Sequence, residues 1–263
     1  RQRTNQYYGP GRFQWFAYQP NCPTFGFNPL LQPAFRAMDT QGRADTLSED
    51  LALEYGEGFG PSFFSSIHNH ILSTVFQRFP NIASLAQLAQ FLGPSQLKTM
   101  SLPHHEQEQG LHLITAVNAL ASIQALNQAP GNAEYTPGAL DRQINLTSVF
   151  ESPRVVYFWL PAAHGPTAAD IAQIVTQFLL LTAHGRPTRR HKCYLVIDEF
   201  QEMASTRIER VLRQARSMGV ATVLSHQTMY DLQKPGSNIL HTVQGNTRTR
   251  WFFSASDPLA QDL

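Results

Sequence analysis

The chain has 263 residues, of which 42% are hydrophobic and 15% charged, and its formal net charge is +1 at pH 7. These values predict a folded globular protein with a sizeable core, and the near-neutral charge gives no global sign of nucleic-acid or membrane binding. Cys22 and Cys193 are far apart in sequence, which argues against a disulfide scaffold. No apolar run reaches the roughly 20 residues that span a bilayer.

The first half of the chain predicts one strand followed by helices. The strand covers residues 13–18, which are rich in aromatic side chains, and a loop punctuated by proline follows it. The periodic spacing of apolar residues then predicts helices, one of which starts at Pro61 because proline suits a first helical turn. The expected helices are 47–53, 61–78, a short one capped by Asn81 or Ser84, and 105–127.

The second half of the chain alternates strands with helices. We expect strands at 154–160, 193–197, 220–224 and 249–254, with helices at 167–182 and from Ser205 or Thr206 to Met218. Gly219 is expected to end the second of these helices. This alternation predicts a parallel, doubly wound α/β sheet.

The strand 193–197 runs directly into two carboxylates, Asp198 and Glu199. A continuous apolar run is typical of a central parallel strand covered on both faces, and ligands bind at the carboxyl ends of such strands. The pattern is that of a Walker B strand, in which the first acid reaches Mg²⁺ and the second prepares a water for attack on a phosphate. By itself, the pattern also fits a strand that ends in two solvated turn acids.

Gln227 strengthens the nucleotide hypothesis, because it follows the next strand and is expected at the same sheet edge. Two acids and an amide that senses the γ-phosphate form a complete set for phosphoryl transfer.

The helix between the two strands carries a slanting stripe of arginines, most of which we expect at a solvated surface. Arg216, near the end of that helix, is the candidate to reach a neighbouring subunit and stabilise transition-state charge. The stripe is Arg207, Arg210, Arg213 and Arg216.

Several motifs are absent from the 263 residues. A Gly-x-x-x-x-Gly-Lys-Ser/Thr loop does not occur, so the chain lacks the backbone amides and the lysine that cradle phosphates. We therefore expect poor ATP hydrolysis, or none, from this chain alone. The histidine spacing and the lack of Cys-x-x-Cys argue against a zinc site, and Gly-x-Ser-x-Gly is missing as well.

Four short motifs carry a resemblance to a known family: CYLVIDEF at 193–200, RSMG at 216–219, LSHQT at 224–228 and NTRT at 246–249. They resemble the second half of type IV secretion coupling proteins, the TraD/TraG-type conjugative ATPases, which are related to the HerA/FtsK DNA translocases. FNPL at 27–30 resembles the loop that leads into this family's helical insert.

The resemblance implies a partial RecA-like P-loop NTPase core, a parallel sheet with flanking helices, and an all-α inserted domain. Residues 1–45 would be a strand and loop of the core, 46–148 the helical insert, and 149–263 the part of the core with the Walker B and sensor strands. Asp198 would then act on Mg²⁺, Glu199 on the catalytic water and Gln227 on the γ-phosphate. Arg216 would be the finger acting in trans.

The family's role would be a hexameric motor at the cytoplasmic face of a bacterial inner membrane. With ATP and Mg²⁺ it would move DNA, or a protein substrate, to a secretion channel. Its partners would be other copies of itself, channel proteins, relaxosome or substrate-adaptor proteins, and DNA.

Three other interpretations stay open. The chain is either a piece of a longer ATPase, which we expect, or a protein that has lost nucleotide binding. A HerA/FtsK-type chromosome or packaging motor is a second possibility, and a non-catalytic scaffold that binds partners through its helical insert is a third. The basic loop residues suit either a pore-lining strip or a solvated loop, and we expect the latter; they are Arg186, Arg189, Arg190 and Lys192.

Overall fold

The structure is a computed structural model. It describes residues 12–19, 22, 24–51, 61–100, 102–128, 143–161, 166–186, 191–203, 206–234 and 237–252. Within this part of the chain, buried hydrophobic residues from both halves form one core cluster.

Four strands form two parallel pairs, as the alternation of strands and helices predicts. β1 (Phe13–Ala17) pairs with β2 (Val155–Trp159), and β3 (Cys193–Ile197) pairs with β4 (Val220–Leu224). A small antiparallel pair, β5 (Gln233–Lys234) with β6 (Ser237–Asn238), completes the described strands.

The expected single sheet is not present in the described residues, because the two parallel pairs are separate sheets. An apolar strand joined to the next by a helix predicts that two strands run parallel, but it does not determine which strands are neighbours.

The expectation that 193–197 is covered on both faces is also wrong for the described structure. Cys193 and Ile197 are buried, whereas Tyr194 and Val196 are 63% and 67% exposed.

The first group of helices follows β1. Their bounds are α1 Pro33–Arg36, α2 Thr40–Asp50, α3 Pro61–Arg78, α4 Leu85–Phe91, α5 Pro94–Leu97, α6 His104–Gln109 and α7 Leu111–Ala121, with short 3-10 turns at Pro29–Leu31 and Gln124–Leu126. Side-chain caps define several starts: Asp39 accepts from the Gly42 amide, and Ser84 accepts from the Gln87 amide. α3 starts at Pro61, as predicted.

The helix predicted over 105–127 is broken at Gly110, between α6 and α7. A Cβ at Gly110 would lie 2.9 Å from Ile71 Cδ1 of α3, so the glycine permits close packing, and a larger residue would require the Ile71 side chain to shift. Apolar periodicity alone did not reveal this contact, because it arises from a residue distant in sequence.

The second group of helices lies among the later strands. Their bounds are α8 Ser148–Glu151, α9 Pro166–His184, α10 Thr206–Ala215 and α11 Leu240–Asn246, with 3-10 turns at Phe200–Met203 and Tyr230–Leu232. Among the described residues no helix has the length and apolarity needed to cross a membrane.

The strand predicted over 249–254 is wrong for residues 249–252, which have no strand conformation, and 253–254 lie outside the described residues. Trp251 and Phe252 are 82% and 46% exposed. Aromatic residues suit a strand, but a strand also needs a neighbour that satisfies its backbone groups, and none of the described strands pairs with this segment.

Helix α9 packs against elements from both halves of the chain, including α1, α2 and α10. Its residue Phe178 is fully buried, with ring centroids 5.6 Å from Phe35 and 6.4 Å from Phe27. Phe27 also meets Phe158 of β2 edge-on at 5.5 Å. These rings join the early loop, the second strand and α9 in one aromatic cluster.

Gln32 provides a polar link between the early loop and the return of the chain after 143. Its buried amide nitrogen donates to the Ile144 carbonyl at 2.9 Å, and its oxygen accepts from the Leu146 amide at 3.1 Å. A buried side chain that satisfies two backbone groups fixes the distance between the segments, because losing it would leave those groups unpaired.

We predict that Phe178→Ala lowers the free energy of unfolding by about 3–5 kcal/mol, because it opens a cavity in the aromatic cluster. The matched control is Leu111→Ala at a side chain that is 60% exposed, which should change stability by no more than about 0.5 kcal/mol. Urea unfolding of the chain measures both. Similar losses from the two variants would show that α9 is not central to the core.

Candidate functional site

The parallel register of β3 and β4 brings two sets of polar residues to one sheet edge. Ile197 lies opposite Leu224, so Asp198 and Glu199 leave one strand where Ser225 to Gln227 leave the other. The backbone pairing continues past the strands, since the Ser225 amide donates to the Ile197 carbonyl at 3.0 Å and the Phe200 amide donates to the Ser225 carbonyl at 2.7 Å. We call Asp198, Glu199, Ser225 and Gln227 the acidic edge.

Asp198 is exposed and is oriented by two hydrogen bonds to Oδ1. The Ser225 hydroxyl donates to this oxygen from the neighbouring strand, and the Glu199 amide donates to it at 3.1 Å. Ser225 has no role among the residues predicted from the sequence. Its position directly after β4, one residue beyond the residue that pairs with Ile197, was the signal that could have identified it.

Glu199 is the one non-glycine residue with a left-handed backbone in the described part of the chain, with φ of 50°. This conformation is unfavourable for a residue with a Cβ, so it needs support from its surroundings. Its carboxylate Oε2 accepts from Gln227 Nε2 at 3.0 Å and also from Gln201 Nε2. The predicted pair of Glu199 and Gln227 is thus in direct contact, and Gln201 is a partner that sequence analysis missed.

Gln227 lies in an exposed turn that Thr228 and Asp231 stabilise. The Thr228 hydroxyl and amide both donate to Asp231 Oδ2, at 2.7 and 3.2 Å. This local capping arrangement holds the segment after β4, and the Gln227 side chain is held at the acidic edge by its bond to Glu199.

Arg216 is exposed in the turn that follows α10. The described contacts of the two carboxylates do not include it, so the structure does not bring Arg216 to the acidic edge of its own chain. The side chains of Arg207 and Arg210 lie outside the described residues. Arg213 pairs with Glu209, and the hydroxyl of Thr242 together with this guanidinium lowers the pKa of Glu209 below its ordinary value.

The basic loop is only partly described. Arg186 donates to the Thr147 carbonyl at 3.0 Å and to the Glu151 carboxylate at 2.7 Å, so this cation is engaged within the chain. Lys192 is exposed. Arg189 and Arg190 lie outside the described residues.

Cys193 is buried at the start of β3, and burial raises the pKa of its thiol to about 11. The thiol is therefore protonated at neutral pH. In the part of the chain that the structure describes, no group of three or more His, Cys, Asp or Glu residues is arranged to hold a metal ion.

The acidic edge nevertheless fits one mode of Mg²⁺ binding. Mg²⁺ prefers oxygen ligands and is often held by one or two carboxylates together with waters and substrate phosphates. Asp198 supplies an exposed carboxylate, and both of its described hydrogen bonds fall on Oδ1. A site of this kind requires the phosphates of a nucleotide, which the acidic edge has no cationic group to hold.

Comparison with known proteins supports the family that the sequence motifs resemble. A family model described as the type IV secretion-system coupling protein DNA-binding domain matches residues 165–262. A comparison with curated proteins gave no match. The matched domain, together with the fold, confirms the predicted resemblance to type IV coupling proteins.

Solved structures of one such protein are similar over most of this chain. The bacterial conjugative coupling protein TrwBdeltaN70 in its unbound form has a TM-score of 0.61 and 11% identity, with 92% of this chain and 57% of that chain covered. The plasmid coupling protein TrwB with ADP and Mg²⁺, and with the ATP analogue ADPNP, gives TM-scores of 0.59 at 12% identity, with 91% of this chain and 58% of that chain covered.

This similarity establishes the fold: a RecA-like α/β core with an all-α domain, as predicted. The chain spans less than two thirds of the length of these solved proteins. The domain boundaries at 45/46 and 148/149 stay a prediction.

Gly219 allows the turn from α10 into β4, because its φ of 70° is readily adopted only by glycine. We predict that Gly219→Ala lowers stability by roughly 1–2 kcal/mol. Gly245→Ala is the control: it lies in α11 with open space around a new Cβ, so it should be neutral or stabilising by up to about 1 kcal/mol. Urea unfolding midpoints measure both, and equal midpoints would contradict the proposed role of the turn.

Proposed function

We propose that this chain provides the water-activating and metal-binding half of a nucleotide-hydrolysing site in a type IV secretion coupling ATPase, which moves DNA to a secretion channel. The observation that carries the proposal is the contact between Glu199 and Gln227 beside Asp198, at the carboxyl ends of two paired parallel strands. This is the edge at which open α/β sheets bind their ligands.

Each residue of the acidic edge has a chemical role in this proposal. Asp198 presents carboxylate oxygen to Mg²⁺, which when bound neutralises charge on the phosphate oxygens. Glu199 orients the attacking water and accepts its proton. Gln227 is exposed, and its amide can donate to a γ-phosphate oxygen in place of Glu199.

The phosphate cradle of this proposed site comes from residues outside the 263. The sequence has no phosphate-binding loop motif, and the solved coupling proteins that it resembles are considerably longer. TrwB has been solved with ADP and Mg²⁺ and with ADPNP, which supports a nucleotide and Mg²⁺ as the ligands of the complete site.

DNA is the substrate that the comparisons favour, because the matched family model is described as a DNA-binding domain. The working assembly that we propose is a hexamer at the cytoplasmic face of a bacterial inner membrane. Channel proteins and relaxosome or adaptor proteins are the partners that this role requires.

We predict that Glu199→Gln in the longer ATPase lowers kcat for ATP by roughly a hundred- to ten-thousand-fold, because the amide cannot accept the proton of the attacking water. Nucleotide binding should persist, since the proposed role of Glu199 is to act on the attacking water and not to hold the phosphates. Steady-state hydrolysis with DNA and binding of a fluorescent ATP analogue measure the two effects. Unchanged hydrolysis would refute the proposed mechanism, and a wild-type protein that neither binds nor hydrolyses ATP would favour a scaffold role.

Arg216 tests whether the site is shared between subunits. We predict that Arg216→Ala lowers kcat by at least roughly a thousand-fold, the usual loss when an arginine finger is removed. Arg213→Ala is the control, since this exposed arginine pairs with Glu209 of its own helix.

Mixing subunits separates an effect in trans from one in cis. Subunits with Arg216→Ala and subunits with Glu199→Gln are each inactive alone. Together they should regain activity, because some interfaces combine an intact Arg216 with an intact Glu199. A mixture that remains inactive would place Arg216 outside the shared site.

A further inference from the structure

Gln201 is a buried side chain that contacts the proposed catalytic carboxylate. It is 6% exposed and lies in the 3-10 turn Phe200–Met203, two residues after Glu199. Its Nε2 donates to Glu199 Oε2, the same oxygen that accepts from Gln227. One carboxylate oxygen thus has one buried amide donor and one exposed amide donor.

The backbone around Glu199 explains why such a donor is needed. The backbone on both sides is tied to Ser225, the residue after β4: the Ile197 carbonyl accepts from the Ser225 amide, and the Phe200 amide donates to the Ser225 carbonyl. Phe200 is also fully buried. These bonds hold Glu199 in its left-handed conformation, which determines where the side chain starts but not where its carboxylate ends. The flexible glutamate side chain needs a second fixed point.

The two amide donors differ in their freedom to move. Gln201 is buried with the 3-10 turn, whereas Gln227 is exposed in a turn at the sheet edge. If Gln227 turns to a γ-phosphate, it gives up its bond to Glu199. A hydrogen bond from a buried amide to an ionised carboxylate then remains to orient the carboxylate, and such charge-assisted bonds are stronger than neutral ones.

We propose that Gln201 is a positioning residue that holds the Glu199 carboxylate in place while Gln227 exchanges between Glu199 and the nucleotide. This inference rests on the proposed function, in which Glu199 orients the attacking water. Gln201 itself touches neither water nor nucleotide in this mechanism. It acts through Glu199, and its contribution is orientation.

The kinetic test replaces the donor with an apolar side chain of similar size. In the longer ATPase, Gln201→Leu should lower kcat roughly ten- to a hundred-fold, as expected for a misplaced catalytic group, with the KM for ATP unchanged. Gln214→Leu, at an exposed glutamine in the last turn of α10, is the control and should have no effect. A rise in KM with unchanged kcat would overturn the proposal.

A double-mutant cycle separates positioning from general destabilisation. In the Glu199→Gln background, Gln201→Leu should cause no further loss of kcat, because there is no carboxylate left to orient. Equal losses in both backgrounds would show that Gln201 acts on the fold and not through Glu199.

An NMR measurement on this chain tests the contact without any hydrolysis. Glu199→Gln removes the charged acceptor and should change the chemical shifts of the Gln201 side-chain amide. The shifts of the Gln87 side-chain amide, in α4, should not change. An unmoved Gln201 signal would overturn the inference even in an active ATPase. A moved signal in a protein that does not hydrolyse ATP would instead locate the failure in the proposed function.

Discussion

The backbone hydrogen bonds between β3 and β4 continue beyond the strands themselves, and the geometry of the acidic edge depends on this continuation. Ser225 contributes three bonds: its amide and carbonyl tie the backbone on either side of Glu199, and its hydroxyl orients Asp198. The same residue therefore fixes the Asp198 carboxylate and the backbone from which the Glu199 side chain starts. A shift of one residue in the register would turn alternate side chains to the opposite face and separate Gln227 from Glu199.

The strands and helices that carry the acidic edge could be predicted closely from sequence. The bounds 193–197 and 220–224 agree with β3 and β4, and the helix predicted at 167–182 is α9, Pro166–His184. These elements have strong local signals: apolar runs and a regular apolar stripe. The helix predicted to reach Met218 is less close, since α10 ends at Ala215 and a turn leads to Gly219. Local signals suffice when an element's boundary is decided by its own residues.

Features that depend on distant residues were not predictable in this way. The close approach of Ile71 to Gly110 joins residues far apart in sequence, and the separation of the two parallel sheets reflects neighbours that no local pattern specifies. The contact of Gln201 with Glu199 depends on the left-handed conformation of Glu199, which is unusual for a glutamate. The two acids and Gln227 were predictable from the sequence, whereas Ser225 and Gln201, which orient the carboxylates, were not.

Cys193 gives the β3 strand a built-in chemical probe. Because only a thiolate reacts quickly with alkylating reagents, a buried thiol with a pKa of about 11 is protected twice in the native state, by its protonation and by its inaccessibility. Its modification rate thus follows transient opening of the strand that carries Asp198 and Glu199. Opening of the acidic edge can be followed in time as alkylation at Cys193, once it is resolved by mass from alkylation at the other free cysteine, the half-buried Cys22.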